Sequence, residues 1–196
     1  MVYAEGRVYY FERPGPENTG DAARFAVERA TALGLDTIVV ASTSGRTALQ
    51  FLEASRETGL HLVVVTHAVG FRKPGEWEFD MAAAEVLKAA GATVVTGSHV
   101  LSGLERAFSA SPKVGGGSRS EAVSEALRRL IAVGLKVAVE CVLIAADQGA
   151  VPIDREVVAC GGTGSGADAV VVVRPAHTSR FFDCQVREIV AMPRDR

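Results

Sequence analysis

Ile38-Val39-Val40-Ala41-Ser42-Thr43-Ser44-Gly45-Arg46-Thr47 sets the architecture of this chain. Its first four residues form a short β-branched run, the right length for a strand buried on both faces. A tight hydroxyl-rich turn follows. Ala48, Leu49, Phe51, Leu52 and Ser55 then repeat at helical spacing until Gly59 stops them. The same unit recurs along the chain. Leu62-Val63-Val64-Val65 and Thr93-Val94-Val95-Thr96 are further buried-strand runs. Ala22, Phe25, Ala26, Arg29 and Leu33 share one face of a helix capped by Asn18 or Thr19 and ended by Gly34. Asp80 caps a helix running to Ala90, closed by Gly91. Strands alternating with helices across short glycine breaks predict a mostly parallel sheet covered on both faces.

Ser118-Arg119-Ser120-Glu121 matches a capping box. The helix behind it is expected to bury Val123, Ala126, Leu127, Leu130 and Ile131 and to end at Gly134. Lys136 to Ala146 reads as the next strand, interrupted by Glu140 and followed by Asp147. The last quarter, with Val157 to Cys160, Ala169 to Val173 and Val186 to Met192, predicts antiparallel or mixed strands at the sheet edge. Ser111 to Gly117 reads as a connector and Phe71 to Phe79 as a longer loop holding Trp77. The 196 residues suit one domain spanning 1–196.

Composition narrows the function classes. Hydrophobic residues make up 48% and charged residues 22%, which excludes wholesale disorder. The 21 basic and 23 acidic residues give a net charge of -2, which argues against a free nucleic-acid binder. No apolar run approaches the roughly 20 residues that span a bilayer, and the start of the chain lacks the pattern of a secretory leader. Cys141, Cys160 and Cys184 are odd in number and lie in apolar contexts, pointing to a reducing cytoplasm.

In a parallel sheet the ends of the first three runs share one edge, where ligands of open α/β sheets bind. Ser42 to Thr47, Thr66-His67 and Ser98-His99 therefore converge on one rim. At the first of these, helix-start amides, the hydroxyls of Ser42, Thr43, Ser44 and Thr47, and the Arg46 guanidinium suit a phosphate monoester. Gly45 allows close approach to the backbone there. The segment is not a P-loop, because the lysine and the wider glycine spacing are absent. Gly161-Gly162-Thr163-Gly164-Ser165-Gly166 is no dinucleotide fingerprint, since a strand and not a helix follows. It reads either as a glycine loop against a flat or anionic ligand or as a simple hairpin connection.

Asp147 is expected near the ligand edge, and Glu140 to have a polar partner, such as a ligand, an arginine or a backbone donor. His61 reads as structural. His177 is placed near the rim, and Phe71, Trp77, Phe181 and Phe182 are candidates to flank a ring. No His or Cys pair has metal-ligand spacing, and no catalytic residue can be assigned.

Glu12-Arg13-Pro14-Gly15-Pro16-Glu17-Asn18-Thr19, the Ser42 to Thr47 turn, Ser98 to Arg106, Ala145 to Ala150 and Arg174-Pro175-Ala176-His177 together carry a family resemblance. The chain resembles stand-alone proteins related to the C-terminal α/β domain of pyruvate kinase. The resemblance implies a three-layer α/β/α fold. In pyruvate kinase the matching turn holds a phosphate of a sugar-bisphosphate effector. In the stand-alone relatives the resemblance implies a flavin mononucleotide (FMN) site at the same sheet edge. The flavin ring would then cross Thr66, His67 and Ser98 towards Asp147 and the Gly161, Gly162 and Gly164 loop. Without a barrel domain, pyruvate kinase activity is not expected.

Three readings follow. One is an FMN-binding protein with a flavin-dependent redox role. Another is a non-catalytic regulatory module for a sugar phosphate or nucleotide. The third is a scaffold with an incidental anion site, whose Val186 to Met192 strand pairs with another subunit. A homo-oligomer is compatible with all three.

Overall fold

The computed structural model describes residues 5–195. The terminal positions of the expected 1–196 domain, including the first residues read for a leader, lie outside the described residues. In chain order the elements are β1 (Tyr9–Phe11), α1 (Thr19–Leu33), β2 (Thr37–Ala41), α2 (Arg46–Ala54), β3 (His61–His67), α3 (Met81–Ala89), β4 (Thr93–Gly97), α4 (Gly103–Ser109), α5 (Arg119–Leu130), α6 (Val133–Asp147), β5 (Val157–Gly161), β6 (Ala169–Arg174) and β7 (Gln185–Pro193).

The strands form one sheet in the order β1-β7-β6-β5-β2-β3-β4. β2 pairs parallel with β3 and β5, and β3 pairs parallel with β4. β6 is antiparallel to both neighbours, and β1 is parallel to β7. The sheet is therefore parallel except for β6.

Alternation along each strand separates two cores. Ile38, Val40, Leu62, Val64, Val158 and Val170 face α1, α2 and α3. Val39, Val63, Val65, Val157, Ala159 and Val171 face α6. Helices thus cover both faces, giving three layers.

Several local signals act where the sequence placed them, but Asn18 at the start of α1 makes no side-chain cap; its side-chain amide donates to Arg13 O at 2.8 Å. Gly34 closes α1 at φ 65°, a backbone angle open to glycine. Asp80 accepts from the Ala83 amide at 2.8 Å and Ser118 from the Glu121 amide at 3.1 Å, caps worth about 1 kcal/mol each.

Four expectations are corrected. Lys136 to Ala146 is helix, not strand, and belongs to α6. Apolar residues at nearly every position suit a strand buried on both faces, but they equally suit a helix packed between the sheet and two other helices. Length separates the cases, because the mostly apolar segment that forms α6 extends over 15 residues, too long for a usual buried strand. Gly134 accordingly does not end α5. The chain breaks at Ile131, and Gly134 is the second residue of α6. Nor does α5 bury the expected stripe. Ser124 is its buried residue, while Leu130 is 78% exposed.

Finally, Val186 to Met192 is a sheet edge only in part. β1 pairs with Ala191, Met192 and Pro193 and covers that end of β7, while the earlier residues of β7 have no strand beyond them among the described residues.

Candidate functional site

The carboxyl ends of β2, β3, β4 and β5 lie along one edge of the sheet, as their parallel registers require. The turn leaving β2 is fixed from three sides. The Ser42 amide donates to Val65 O at 3.0 Å, extending the β2–β3 ladder by one step. The Thr66 hydroxyl donates to Thr43 O at 3.1 Å, and the Asp80 amide to Ser44 O at 3.3 Å. Ser42 Oγ is buried and accepts from the amides of Gly45, at 3.1 Å, and Ala48, at 3.3 Å. It caps α2 internally.

Other groups on the turn stay uncommitted. Among the described residues, the side chains of Thr43, Ser44, Arg46 and Thr47 make no hydrogen bond or ion pair. All four line a cavity of about 690 Å³. Gly45 serves packing rather than ligand approach. It sits at φ 92° and is not in the cavity wall, and a Cβ there would lie 2.6 Å from Ala83 Cβ and 3.3 Å from Phe79 Cζ.

The glycine segment is the hairpin connection between β5 and β6, and Gly162, Gly164, Ser165 and Gly166 also form cavity wall. Gly161 lies behind them, pressed on α6, where a Cβ would meet the Ala138 amide at 2.7 Å. Asp168 holds this connection. Its buried Oδ2 accepts from the amides of Gly15 and Thr163, each at 3.1 Å, while Oδ1 has no partner among the described residues. Burial raises the Asp168 pKa, against the opposing pull of these two donors. The Thr19 hydroxyl adds a bond from the Ala167 amide at 3.1 Å.

An aromatic corner closes the β3–β4 side. Phe71 stacks on His99 with centroids 4.8 Å apart and lies 4.1 Å from His67, and the two imidazoles are 5.1 Å apart. His67 Nδ1 pairs with Glu78 Oε2 at 2.9 Å, and Arg72 Nε meets the other Glu78 oxygen at 3.0 Å. The His67 Nε2 atom has no partner among the described residues. Burial lowers the His99 pKa, opposed by nearby Glu140 and reinforced by His67, Lys136 and Arg106.

The opposite wall is α6. Lys136 is wholly buried and pairs with Glu140 one turn on, and the second Glu140 oxygen accepts from the Leu101 amide at 2.9 Å. The expected polar partner of Glu140 is thus a lysine and a backbone donor. Arg106 and Arg128 line the same space. Arg128 Nε is buried without a hydrogen-bond partner, its nearest carboxylate being Glu125 at 3.9 Å. Counting Arg46 and Arg72, five cations face two carboxylates, Glu78 and Glu140, in the cavity wall. The chain as a whole is net negative, so this concentration of positive charge is local and favours an anion.

The structure therefore brings Ser42, Thr43, Ser44, Arg46, Thr47, Thr66, His67, His99, Gly162 and Gly164 to one cavity. Gly45, Ser98, Asp147 and Gly161 do not line it. Ser98 is exposed at the end of β4. Asp147 is the last residue of α6 and accepts from the amide and hydroxyl of Thr178, at 3.0 and 2.6 Å. His177 sits beside Asp147 at 3.5 Å and is likewise outside the cavity wall. Of the four aromatics, only Phe71 reaches the cavity. Trp77 stacks on Phe79 in the core below α2 and α3, and Phe182 is 91% exposed. His61 bonds Thr93 at the far end of β3.

Lys136, Arg106, Arg128, Glu78 and Arg72 escaped the sequence reading. The Lys136–Glu140 spacing of four within an apolar run was the available signal for a helical pair. Among the described residues there is no cluster of three or more metal-ligating side chains, and no helix is long and apolar enough to cross a membrane. Burial pushes the Cys141 thiol in the cavity wall up to about 12, so it is no nucleophile near neutral pH.

The family model of the pyruvate kinase alpha/beta domain matches residues 21–173. That span runs from the first turn of α1 to the end of β6 and contains the turn, the aromatic corner and the α6 wall. The chain belongs to this family.

Proposed function

We propose that this member of the pyruvate kinase alpha/beta domain family binds FMN at the carboxyl edge of its sheet, with the phosphate on the Ser42–Thr47 turn. One observation carries the reading. Four polar side chains on a single helix-initiating turn have no partner among the described residues and all line the same cavity. Unsatisfied donors held rigidly at a helix start, with local positive charge, suit a dianionic phosphate.

The residues present fit the rest of the group. A volume of about 690 Å³ lies within the roughly 300–1,000 Å³ usual for small-molecule and cofactor sites. Phe71, His67 and His99 offer ring faces against which a flat heterocycle can lie. Cations on α4, α5 and α6 face the same space. A bound flavin would supply electron-transfer chemistry, and the protein would bind and orient it. Glu78 would hold the His67 ring so that Nε2 stays available as a proton acceptor on the cavity side.

The test is an absorption spectrum of protein purified without added cofactor, followed by titration with FMN. A flavin spectrum, or saturable FMN binding that Arg46→Ala weakens, is the expected result. Failure to bind FMN combined with a thermal shift from a sugar bisphosphate or nucleotide would overturn the cofactor and favour a regulatory phosphate module.

A further inference from the structure

Lys136 and Glu140 are not used by the phosphate turn, and of the pair only Glu140 has a partner elsewhere in the fold, the Leu101 amide, among the described residues. Every other buried residue of α6 is apolar or glycine. A buried ion pair gives little net stability over a well-packed apolar pair, because desolvating both charges offsets their attraction. The pair lies where α6 forms cavity wall.

Its geometry is one-sided. Both Glu140 oxygens have a partner, Lys136 for one and the Leu101 amide for the other. Lys136 has donors to spare. Its ammonium carries three donors, and Glu140 is its one hydrogen-bond partner among the described residues. Two N–H groups have no partner among the described residues, on a residue that forms part of the cavity wall. Arg128 and Arg106 add positive charge from α5 and α4.

These groups belong to different elements from the phosphate turn, so the cavity contains two separate sources of anion recognition. An isoalloxazine ring presents acceptor atoms, N1 and the C2 carbonyl oxygen, along its pyrimidine edge, and that edge carries the negative charge of the deprotonated reduced ring. A fixed cation in a desolvated wall interacts more strongly with the charged form than with the neutral one.

We propose that Lys136, braced by Glu140, is a second anion-recognition point that donates to the pyrimidine edge of the flavin and favours reduced over oxidised cofactor; the inference rests on the FMN reading above. A ligand that binds one of two states more tightly shifts their equilibrium by the ratio of its affinities. The protein-bound flavin must then be easier to reduce than free FMN.

The test measures the midpoint potential of FMN on the wild-type protein by equilibration with a reference dye, beside free FMN. It is repeated on the double variant Lys136→Met/Glu140→Gln, which removes both charges and keeps a side-chain carbonyl oxygen to accept from the Leu101 amide. Wild type is expected to bind reduced FMN at least tenfold more tightly than oxidised FMN, a rise of about 30 mV for a two-electron couple. The variant is expected to lose at least tenfold of that preference.

A wild-type potential at or below that of free FMN overturns the inference, and this measurement stands even if the variant does not fold. A folded variant that keeps the wild-type preference also overturns it, while leaving FMN binding intact. Wild type that binds FMN in neither redox form sinks the cofactor reading itself, and the inference with it.

Discussion

The turn after β2 and the middle of α6 face the same cavity, yet they carry polar groups in opposite ways. On the turn, backbone and Ser42 bonds fix the chain, and Thr43, Ser44, Arg46 and Thr47 are left without partners among the described residues. On α6 the polar groups are buried and locked to one another and to Leu101. The turn side chains can therefore be removed at little cost to the fold. The α6 charges cannot be removed singly, because each leaves the other stranded in a dry wall. The contrast separates recognition that is independent of stability from recognition built into the core.

The most severe change is Glu140→Leu. It strands Lys136 and the Leu101 amide and should cost about 3–5 kcal/mol. Urea denaturation would measure it. A cost below about 1 kcal/mol would mean the α6 wall is as tolerant as the turn.

Gly166→Ala asks which wall the glycine connection resembles. Gly166 has φ 71°, and a Cβ there would sit 2.5 Å from both Pro16 Cα and Thr19 Oγ1. Overpacking and left-handed strain together predict about 2–4 kcal/mol of lost stability. Normal stability would place the connection with the turn instead.

Arg46→Ala should do the reverse of Glu140→Leu. Its side chain is exposed and unpaired among the described residues, so the melting temperature should stay put. Phosphate-ligand affinity should fall by about 1.5–3 kcal/mol, the usual worth of a charge-assisted hydrogen bond. Calorimetric titration with FMN and with inorganic phosphate would read this. A changed melting point with unchanged affinity would reverse the assignment of the two walls.

The smallest effect concerns His99, between the walls. Burial lowers its pKa, and the charges facing it come from Glu140, His67, Lys136 and Arg106. The folded state then binds a proton less readily than the unfolded chain. The stability His99 contributes is present above the ordinary histidine value and is lost as pH falls through the lowered one. His99→Asn should therefore lose less stability than wild type as pH falls below the ordinary histidine value. Identical pH profiles would remove His99 from the titrating set.

The same contrast explains what the sequence could reveal. The turn is local. A β-branched run, four hydroxyls, a glycine and an arginine within ten residues imply a strand, a helix start and an anion preference together. The caps at Asp80 and Ser118 are equally local, and both form. The α6 wall is not local. Glu140 meets an amide 39 residues away, and the charges joining it come from α4 and α5 through packing alone. Reading Lys136 to Ala146 as a strand hid the pair, because a spacing of four puts two residues on the same face of a helix, one turn apart. Asp147 misled for the same reason. At a strand's end it would reach the ligand edge; at the end of α6 it instead holds Thr178.

The pairing of β1 with β7 orders events during synthesis. Tyr9, Tyr10 and Phe11 find their sheet partners at Ala191, Met192 and Pro193. β1 emerges from the ribosome well before β7, so its place in the sheet does not exist until β7 has been made. Before then it can meet α1, through Tyr9 stacked on Phe25 at 3.9 Å. A contact spanning so much chain closes late, because the loop entropy must be met before the contact can reward it. One border of the sheet is thus made long before the strand that seats it.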